Sequence, residues 1–189
     1  MGLLVDGIWQ DKWYDTSENG GKFERQASKF RGAIGGEAGA QHPPESGRYH
    51  LYVAYACPWA HRALILRQLK GLTEHIDVSV VNPDMLGDGW SFSDYPGSTG
   101  DKLYHFDYLH QLYTKAKHDV TTRVTVPVLW DKQTQSIVNN ESADIIRIFN
   151  SDFNALTGDK QDFYPAPLRE DIDDINKMVY HAINNGVYK

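Results

Sequence analysis

The sequence lacks several features that mark large classes of protein. Its 189 residues contain a single cysteine, Cys57, so no internal disulfide can form and the partner thiols of a structural zinc site are missing. No apolar run approaches the roughly 18 residues that span a membrane, and none near the start has the form of a secretion signal. We therefore expect a protein of a reducing compartment, located in the cytoplasm, with no metal and no membrane partner.

An excess of positive charge is also lacking. The chain has 19 basic and 25 acidic side chains, which give a formal net charge of −6 at pH 7. This balance predicts no general attraction to nucleic acid, so any anionic ligand must be held by local groups. The fractions of hydrophobic (41%) and charged (23%) residues are typical of an ordinary globular domain.

Three regions of the chain differ in their residue patterns. Residues 1–47 combine short aromatic patches with glycine-rich stretches and show no sustained period, which predicts an irregular arm. The glycines of this arm neither follow a strand nor open a helix, so no phosphate-binding loop and no nucleotide cofactor are expected. Residues 48–163 alternate between strand-like and helix-like patterns. Residues 164–189 begin with a proline-rich linker and continue as one amphipathic helix.

The order of elements in the middle region predicts the fold class. Strand-like segments occupy 48–55, 76–80, 126–130 and 136–138, and helical patterns occupy about 58–70, 103–113 and 141–149. This βαβα order followed by ββα joins one parallel unit to one antiparallel hairpin, with helices able to cover both faces of a four-stranded sheet. The pattern is that of an α/β protein with a thioredoxin-like fold.

Cys57 lies where the first predicted strand ends and the first predicted helix begins. Free backbone N–H groups and the helix dipole favour a thiolate there, and Pro58 suits the first helical position. Lowering the pKa of a thiol from about 8.5 to about 6 requires about 3.4 kcal/mol, more than a helix terminus supplies, so another donor or cation must contribute. Two alternatives stay open: a buried, unreactive thiol, and a metal pair with His61 one helical turn away.

A site with one thiol needs a second thiol from outside. Ala60 occupies the position of the second cysteine of a dithiol motif, so a mixed disulfide must be resolved externally, and glutathione is the cytosolic candidate. The bond before Pro127 lies where thioredoxin-like domains keep a cis-proline, which exposes the Val126 backbone to a peptide ligand. Residues 140–142, at the start of the last helix, offer N–H groups, a hydroxyl and an acid for a γ-glutamyl group, although plain helix capping gives the same pattern.

Six motifs, in order along nearly the whole chain, resemble those of the glutathionyl-hydroquinone reductases, the xi class of glutathione transferases. They are Cys-Pro-Trp-Ala-His-Arg at 57–62, Val-Val-Asn-Pro at 80–83, Gly-Trp at 89–90, Arg-Val-Thr-Val-Pro-Val-Leu-Trp-Asp at 123–131, Asn-Glu-Ser-Ala at 140–143 and Asn-Asn-Gly-Val-Tyr at 184–188. The resemblance implies that the Cys57 thiolate attacks the sulfur of a glutathionyl-hydroquinone and forms a mixed disulfide with glutathione. A second glutathione, the expected co-substrate, then reduces this disulfide, so the products are a hydroquinone and oxidised glutathione.

The resemblance also implies a role for individual residues. Cys57 is the catalytic nucleophile, and Tyr188 is the proton donor to the leaving hydroquinone. The predicted glutathione-binding residues are Trp90, which packs on the ligand, Arg123, which pairs with its carboxylate, Val126, which bonds its peptide backbone, and Glu141 and Ser142, which hold the γ-glutamyl end.

The sequence departs from this family at its end. Family members continue into an all-helical second domain, whereas this chain stops at Lys189, so residues 164–189 are predicted to be a linker and the first helix of an incomplete helical domain. Two alternative functions follow: a monothiol, glutaredoxin-like thioltransferase, and a glutathione-binding module impaired in turnover because the helical domain is missing. The exposed face of the last helix favours self-association, so a homodimer is expected.

Overall fold

The structure is a computed structural model that describes residues 2–14 and 25–188, apart from the Tyr188 side chain. Two compact units share these residues: the larger contains residues 2–12 and 28–161, and the smaller contains 13–14, 25–27 and 162–188. Among the described residues, no helix combines the length and the apolar character that crossing a membrane requires.

In the described part of the chain, the strands are β1 (Leu3–Val5), β2 (Ile8–Gln10), β3 (Tyr49–Val53), β4 (Asp77–Val80), β5 (Thr122–Arg123), β6 (Val128–Asp131) and β7 (Ser136–Asn139). The α-helices are α1 (Pro58–Leu69), α2 (Leu109–Ala116), α3 (Ser142–Ser151), α4 (Asn154–Thr157) and α5 (Arg169–Val179).

A four-stranded mixed sheet in the order β4-β3-β6-β7 forms the centre of the larger unit. β3 pairs with β4 in parallel, and β6 pairs antiparallel with both β3 and β7. Every residue of β3 and β6 is buried, as expected for central strands with both faces covered. α1 and α3 pack against each other, and α2 contacts β7. This arrangement confirms the predicted thioredoxin-like α/β fold.

α1 begins where the local sequence changes from extended to helical. Cys57 is its N-cap and has extended backbone angles (φ −97°, ψ 114°), and Pro58 takes the first helical position. Ala60 and Ala63 are fully buried, and their short side chains allow the helix to lie close to its neighbours. Gly71, whose φ is +65°, follows the C-cap and ends the helix.

The second predicted helix, 103–113, begins too early. α2 starts at Leu109, because the buried carboxylate of Asp101 organises the preceding residues as turns. This carboxylate accepts bonds of 2.9 to 3.2 Å from the Tyr52 hydroxyl and from the backbone amides of Leu103, Tyr104 and Phe106. Side-chain bonds of this kind compete with helical backbone bonds, and hydrophobic spacing does not reveal them.

The predicted irregular arm contains a hairpin that the prediction missed. β1 and β2 pair antiparallel around Asp6 and Gly7, whose φ values of +48° and +77° suit a two-residue hairpin turn. β1 also pairs with β5, which completes a three-stranded sheet. Strands of three residues are too short to show alternation, but the Asp-Gly pair was a signal that could have indicated the turn.

The smaller unit contains α5 and its flanking turns. A 3-10 turn (Ala166–Leu168) precedes α5, and a π turn (Tyr180–Asn184) and a 3-10 turn (Gly186–Tyr188) follow it. At the start of this unit, the Tyr164 hydroxyl donates to the Asp173 carboxylate, and the Arg169 guanidinium lies 5.1 Å from the centre of the Tyr164 ring. In residues 162–188, the large apolar side chains that are exposed are Phe163, Leu168, Ile175, Met178, Ile183 and Val187.

Candidate functional site

Cys57 joins the end of the extended segment after β3 to the start of α1. Its backbone amide donates to the carbonyl of Ala54 at 3.1 Å, and its carbonyl accepts from the amide of His61 at 3.0 Å. The side chain is partly buried, and the first turn of α1 contains no acidic residue. The thiol therefore lies at the positive end of a helix dipole that no neighbouring carboxylate in that turn opposes.

The Cys57 thiol contacts the backbone of Val126. Its Sγ lies 3.7 Å from the Val126 carbonyl oxygen, to which the thiol donates. The Val126–Pro127 peptide bond is cis, as the position of Pro127 before β6 predicted. The structure therefore brings the sulfur next to the backbone segment that was predicted to pair with a peptide ligand.

The start of α3 supplies a second set of polar groups. Glu141 is the N-cap of this helix: one carboxylate oxygen accepts from the amide of Ala143 at 3.2 Å, and the other accepts from the Ser28 hydroxyl at 2.9 Å. Ser142 is buried at the first helical position. Glu141 thus caps α3, and this helix packs against α1.

Arg62 is a residue that the sequence analysis did not include in the site. Its Nε and Nη2 atoms donate to the Ser142 hydroxyl at 3.1 and 2.7 Å, and Nη2 lies 3.9 Å from Oε1 of Glu141. The guanidinium also stacks over the Trp59 ring, 5.1 Å from its centre. Burial lowers the pKa of Arg62, and the Glu141 carboxylate opposes that shift. Arg62 thus links α1 to Glu141 and Ser142, the two residues predicted to hold the γ-glutamyl group.

Trp90 and Arg123 have contacts outside this group. Trp90 is 8% exposed, and its indole N–H is buried without a hydrogen-bond partner among residues 2–14 and 25–188. Arg123, in β5, is buried and donates to the carbonyl of Lys12. The side chain of Tyr188, the predicted proton donor, lies outside the described residues.

No three histidine, cysteine, aspartate or glutamate side chains are grouped so that they could hold a metal ion, in the part of the chain that the structure describes. The described site is built from the Cys57 thiol, backbone groups, the Glu141 carboxylate, the Ser28 and Ser142 hydroxyls and the Arg62 guanidinium. This set can bind a peptide with charged ends and can carry out thiol–disulfide chemistry.

A cysteine at the N-cap position of a helix, beside the peptide bond of a cis-proline and next to a β4-β3-β6-β7 sheet, defines a thioredoxin-like domain with a single-thiol site. Residues 56–152, about half of the chain, match the family model described as glutathione S-transferase, N-terminal domain. The chain belongs to the glutathione S-transferase family.

Individual relatives are similar to this chain over its whole length. The glutathionyl-hydroquinone reductase YqjG of Escherichia coli is 55% identical over all of this chain and 60% of the relative. A Xi-class transferase from Natrialba magadii superposes with a TM-score of 0.88 and 48% identity, over 100% of this chain and 56% of that one. The glutathione-bound structure of Escherichia coli YqjG superposes with a TM-score of 0.84 and 48% identity, over 98% and 57% of the two chains. The chain thus spans about three fifths of the length of the curated relatives that it matches.

Proposed function

We propose that this chain carries the catalytic cysteine and the glutathione site of a glutathionyl-hydroquinone reductase. The observation that carries the proposal is the position of the Cys57 sulfur, at the start of α1 and 3.7 Å from the Val126 carbonyl before the cis-proline. This position places the sulfur at a helix dipole, which favours a thiolate, and next to the Val126 backbone, which would pair with a peptide ligand. The names of the relatives suggest the class of substrate, a hydroquinone that carries glutathione on its ring.

The first proposed step is an attack of the Cys57 thiolate on the glutathione sulfur of this substrate. A sulfur–sulfur bond forms, and the bond between the glutathione sulfur and the ring carbon breaks. The electron pair of the broken bond stays with the ring carbon, which takes up a proton, for which Tyr188 is the proposed donor. The ring is reduced by two electrons, and the two sulfurs become a mixed disulfide.

The second proposed step regenerates the enzyme. The thiolate of a second glutathione attacks the glutathione sulfur of the mixed disulfide, and Cys57 leaves as a thiolate. Oxidised glutathione is released. An external thiol is required because Cys57 is the only cysteine of the chain.

The predicted binding residues would hold glutathione along its length. The Val126 backbone would pair with the cysteinyl part, as in strand addition. Glu141 would accept the γ-glutamyl ammonium group, and the Ser142 hydroxyl would donate to the neighbouring carboxylate. Arg123 would pair with the glycyl carboxylate. Trp90 would pack on the ligand, and its unpartnered indole N–H offers a donor to it.

The proposal also covers the organisation and setting of the chain. Residues 1–47 would be an arm of the glutathione-binding domain, 48–163 its body, and 164–189 a linker and the first helix of a helical domain. We propose the cytoplasm as the location, because glutathione keeps thiols reduced there.

We also propose a homodimer formed through the apolar side chains of the last helix, for which sedimentation velocity is the direct measurement.

Intact-mass measurement tests the proposed function. The chain is incubated with a glutathionyl-hydroquinone in the absence of free glutathione, and separately with a mixed disulfide of glutathione and a small thiol. We expect one glutathionyl group on Cys57 from the hydroquinone conjugate, with equimolar release of hydroquinone, and its removal on addition of glutathione. An adduct from the disulfide alone would indicate a glutaredoxin-like thioltransferase instead. No adduct from either substrate would leave only a binding module.

Replacing Arg62 with lysine is expected to raise the glutathione Kd about 5- to 20-fold, because an ammonium group cannot maintain both bonds to the Ser142 hydroxyl. While both bonds occupy the oxygen, the hydroxyl hydrogen is directed away from Arg62 and can reach a ligand carboxylate. Isothermal titration with glutathione and with cysteinylglycine, which lacks the γ-glutamyl group, separates this effect from general damage. The loss should be confined to glutathione.

Arg67→Lys is the matched control for this prediction. Arg67 lies on the same helix and also makes two hydrogen bonds, to the carbonyls of Ile76 at 2.6 Å and Thr73 at 2.8 Å. It should leave the Kd of both peptides unchanged within about twofold. Equal weakening by the two lysine variants would contradict the assignment of Arg62 to the γ-glutamyl end.

A further inference from the structure

The hydroxyl group of Tyr113, on α2, contacts two chain segments that lead into the site. It donates to the Thr125 carbonyl at 2.8 Å and accepts from the Thr125 amide at 3.3 Å. It also accepts from the side-chain amide of Asn140 at 3.1 Å. Tyr113 is fully buried, and burial raises the pKa of its hydroxyl, which therefore stays protonated and available as a donor.

Each partner of Tyr113 directly precedes a residue of the proposed glutathione site. Thr125 precedes Val126, whose carbonyl contacts the Cys57 sulfur. Asn140 precedes Glu141, the N-cap of α3. The single hydroxyl therefore lies between the segment that would bind the cysteinyl part of glutathione and the segment that would bind its γ-glutamyl part.

Other bonds hold these two segments less directly to each other. The Asn140 side-chain oxygen accepts from the amide of Phe30 at 3.2 Å, and its nitrogen lies 3.5 Å from the Thr125 hydroxyl, at the limit of a hydrogen bond. Without the Tyr113 hydroxyl, the Thr125 carbonyl and the Asn140 amide would lose a short contact in a buried environment. Buried polar groups that lose a partner shift to find another, so the spacing of the two segments would change.

We propose that Tyr113 is a positioning residue of the glutathione site: its hydroxyl sets the distance between the Val126 backbone and the start of α3. It touches neither the ligand nor the reacting sulfur, and it acts through Thr125 and Asn140. The inference rests on the proposed function, because it assigns a role to Tyr113 in that same binding site.

Tyr113→Phe tests this role, because it removes the hydroxyl and keeps the buried ring. Tyr49→Phe is the matched control: Tyr49 is also fully buried, and its hydroxyl donates to the Pro43 carbonyl at 2.7 Å. We expect Tyr113→Phe to raise the glutathione Kd about 5- to 30-fold and Tyr49→Phe to change it less than about twofold, with comparable losses in thermal midpoint. At saturating glutathione, Tyr113→Phe should reduce the mixed disulfide within about twofold of the rate of the unmodified chain. An interaction made equally in the ground state and the transition state affects KM and not kcat.

The outcomes distinguish this inference from the proposed function. If the unmodified chain binds glutathione and the two phenylalanine variants weaken binding equally, or not at all, the positioning role is wrong while the proposed function stands. If the unmodified chain neither binds glutathione nor forms the adduct, both are wrong. Asn140→Ser, which removes the amide that donates to Tyr113, provides the same test if Tyr113→Phe does not fold, and it too should raise the Kd.

Discussion

Replacing Cys57 with serine is expected to abolish the glutathione adduct and to lower the rate of hydroquinone release by about 1000-fold or more. A serine hydroxyl is not ionised at neutral pH and cannot form a disulfide. No nucleophile then attacks the glutathione sulfur, so its bond to the ring carbon does not break. The measurement is the release of hydroquinone followed by chromatography, together with intact mass of the protein.

The fold and the binding of glutathione should survive this substitution. Cys57 is partly buried, and the contact of its thiol with Val126, at 3.7 Å, is a weak hydrogen bond. The thermal midpoint of Cys57→Ser should therefore remain within a few degrees of that of the unmodified chain, and the glutathione Kd within about tenfold. A serine variant that kept its rate would show that the sulfur does not react. If Cys57→Ser does not fold, Cys57→Ala replaces it, and we expect the same loss of the adduct and of hydroquinone release.

The position of Cys57 could be predicted because the signals that determine it are local. Alternation ends at residue 55, Pro58 suits the start of a helix, and Gly71 suits its end, so the junction of strand and helix follows from neighbouring residues. The four-stranded sheet β4-β3-β6-β7 followed from the order of such segments. The start of α2 did not, because a buried carboxylate, Asp101, holds the preceding amides.

The part of the site that escaped prediction depends on long-range contacts. Arg62 is visible in the sequence five residues after Cys57, but its partner Ser142 is 80 residues away, and helical spacing alone says nothing about that contact. The same holds for Tyr113, which has the pattern of an ordinary core residue of α2. Its hydroxyl acquires a role only because Thr125 and Asn140 meet around it.

Removing Asp131 is expected to lower the free energy of unfolding by about 3–5 kcal/mol, because it leaves the buried Arg48 guanidinium with only the exposed Glu45 carboxylate, at 3.4 Å, as an ion-pair partner among the described residues. Asp131 is fully buried at the end of β6, and Arg48 is 7% exposed. Two of the bonds from Arg48 to this carboxylate measure 3.0 and 2.6 Å, and His42 adds a third contact at 2.8 Å. The measurement is urea unfolding of Asp131→Ala.

Asp77→Ala is the control for this prediction. Asp77 is the first residue of β4, and it forms an ion pair with Lys102 at 3.2 Å, but both side chains are exposed. Its removal should cost about 1 kcal/mol or less, since water solvates the remaining charge. If Asp131→Ala and Asp77→Ala lowered the free energy of unfolding equally, burial would not explain the effect at Asp131.

The Arg48–Asp131 pair also predicts how stability depends on pH. Burial alone would raise the pKa of Asp131, but hydrogen bonds from Arg48 and His42 lower it to about 2, below the value of about 3.9 expected in the unfolded chain. The stabilisation is therefore complete above about pH 4 and is lost as the pH falls through about 2. The free energy of unfolding of Asp131→Asn should lack this pH-dependent contribution. The unmodified chain and Asp131→Asn should therefore differ less in free energy of unfolding as the pH is lowered. A constant difference between pH 5 and pH 2 would show that the Asp131 carboxylate is not held in its charged form.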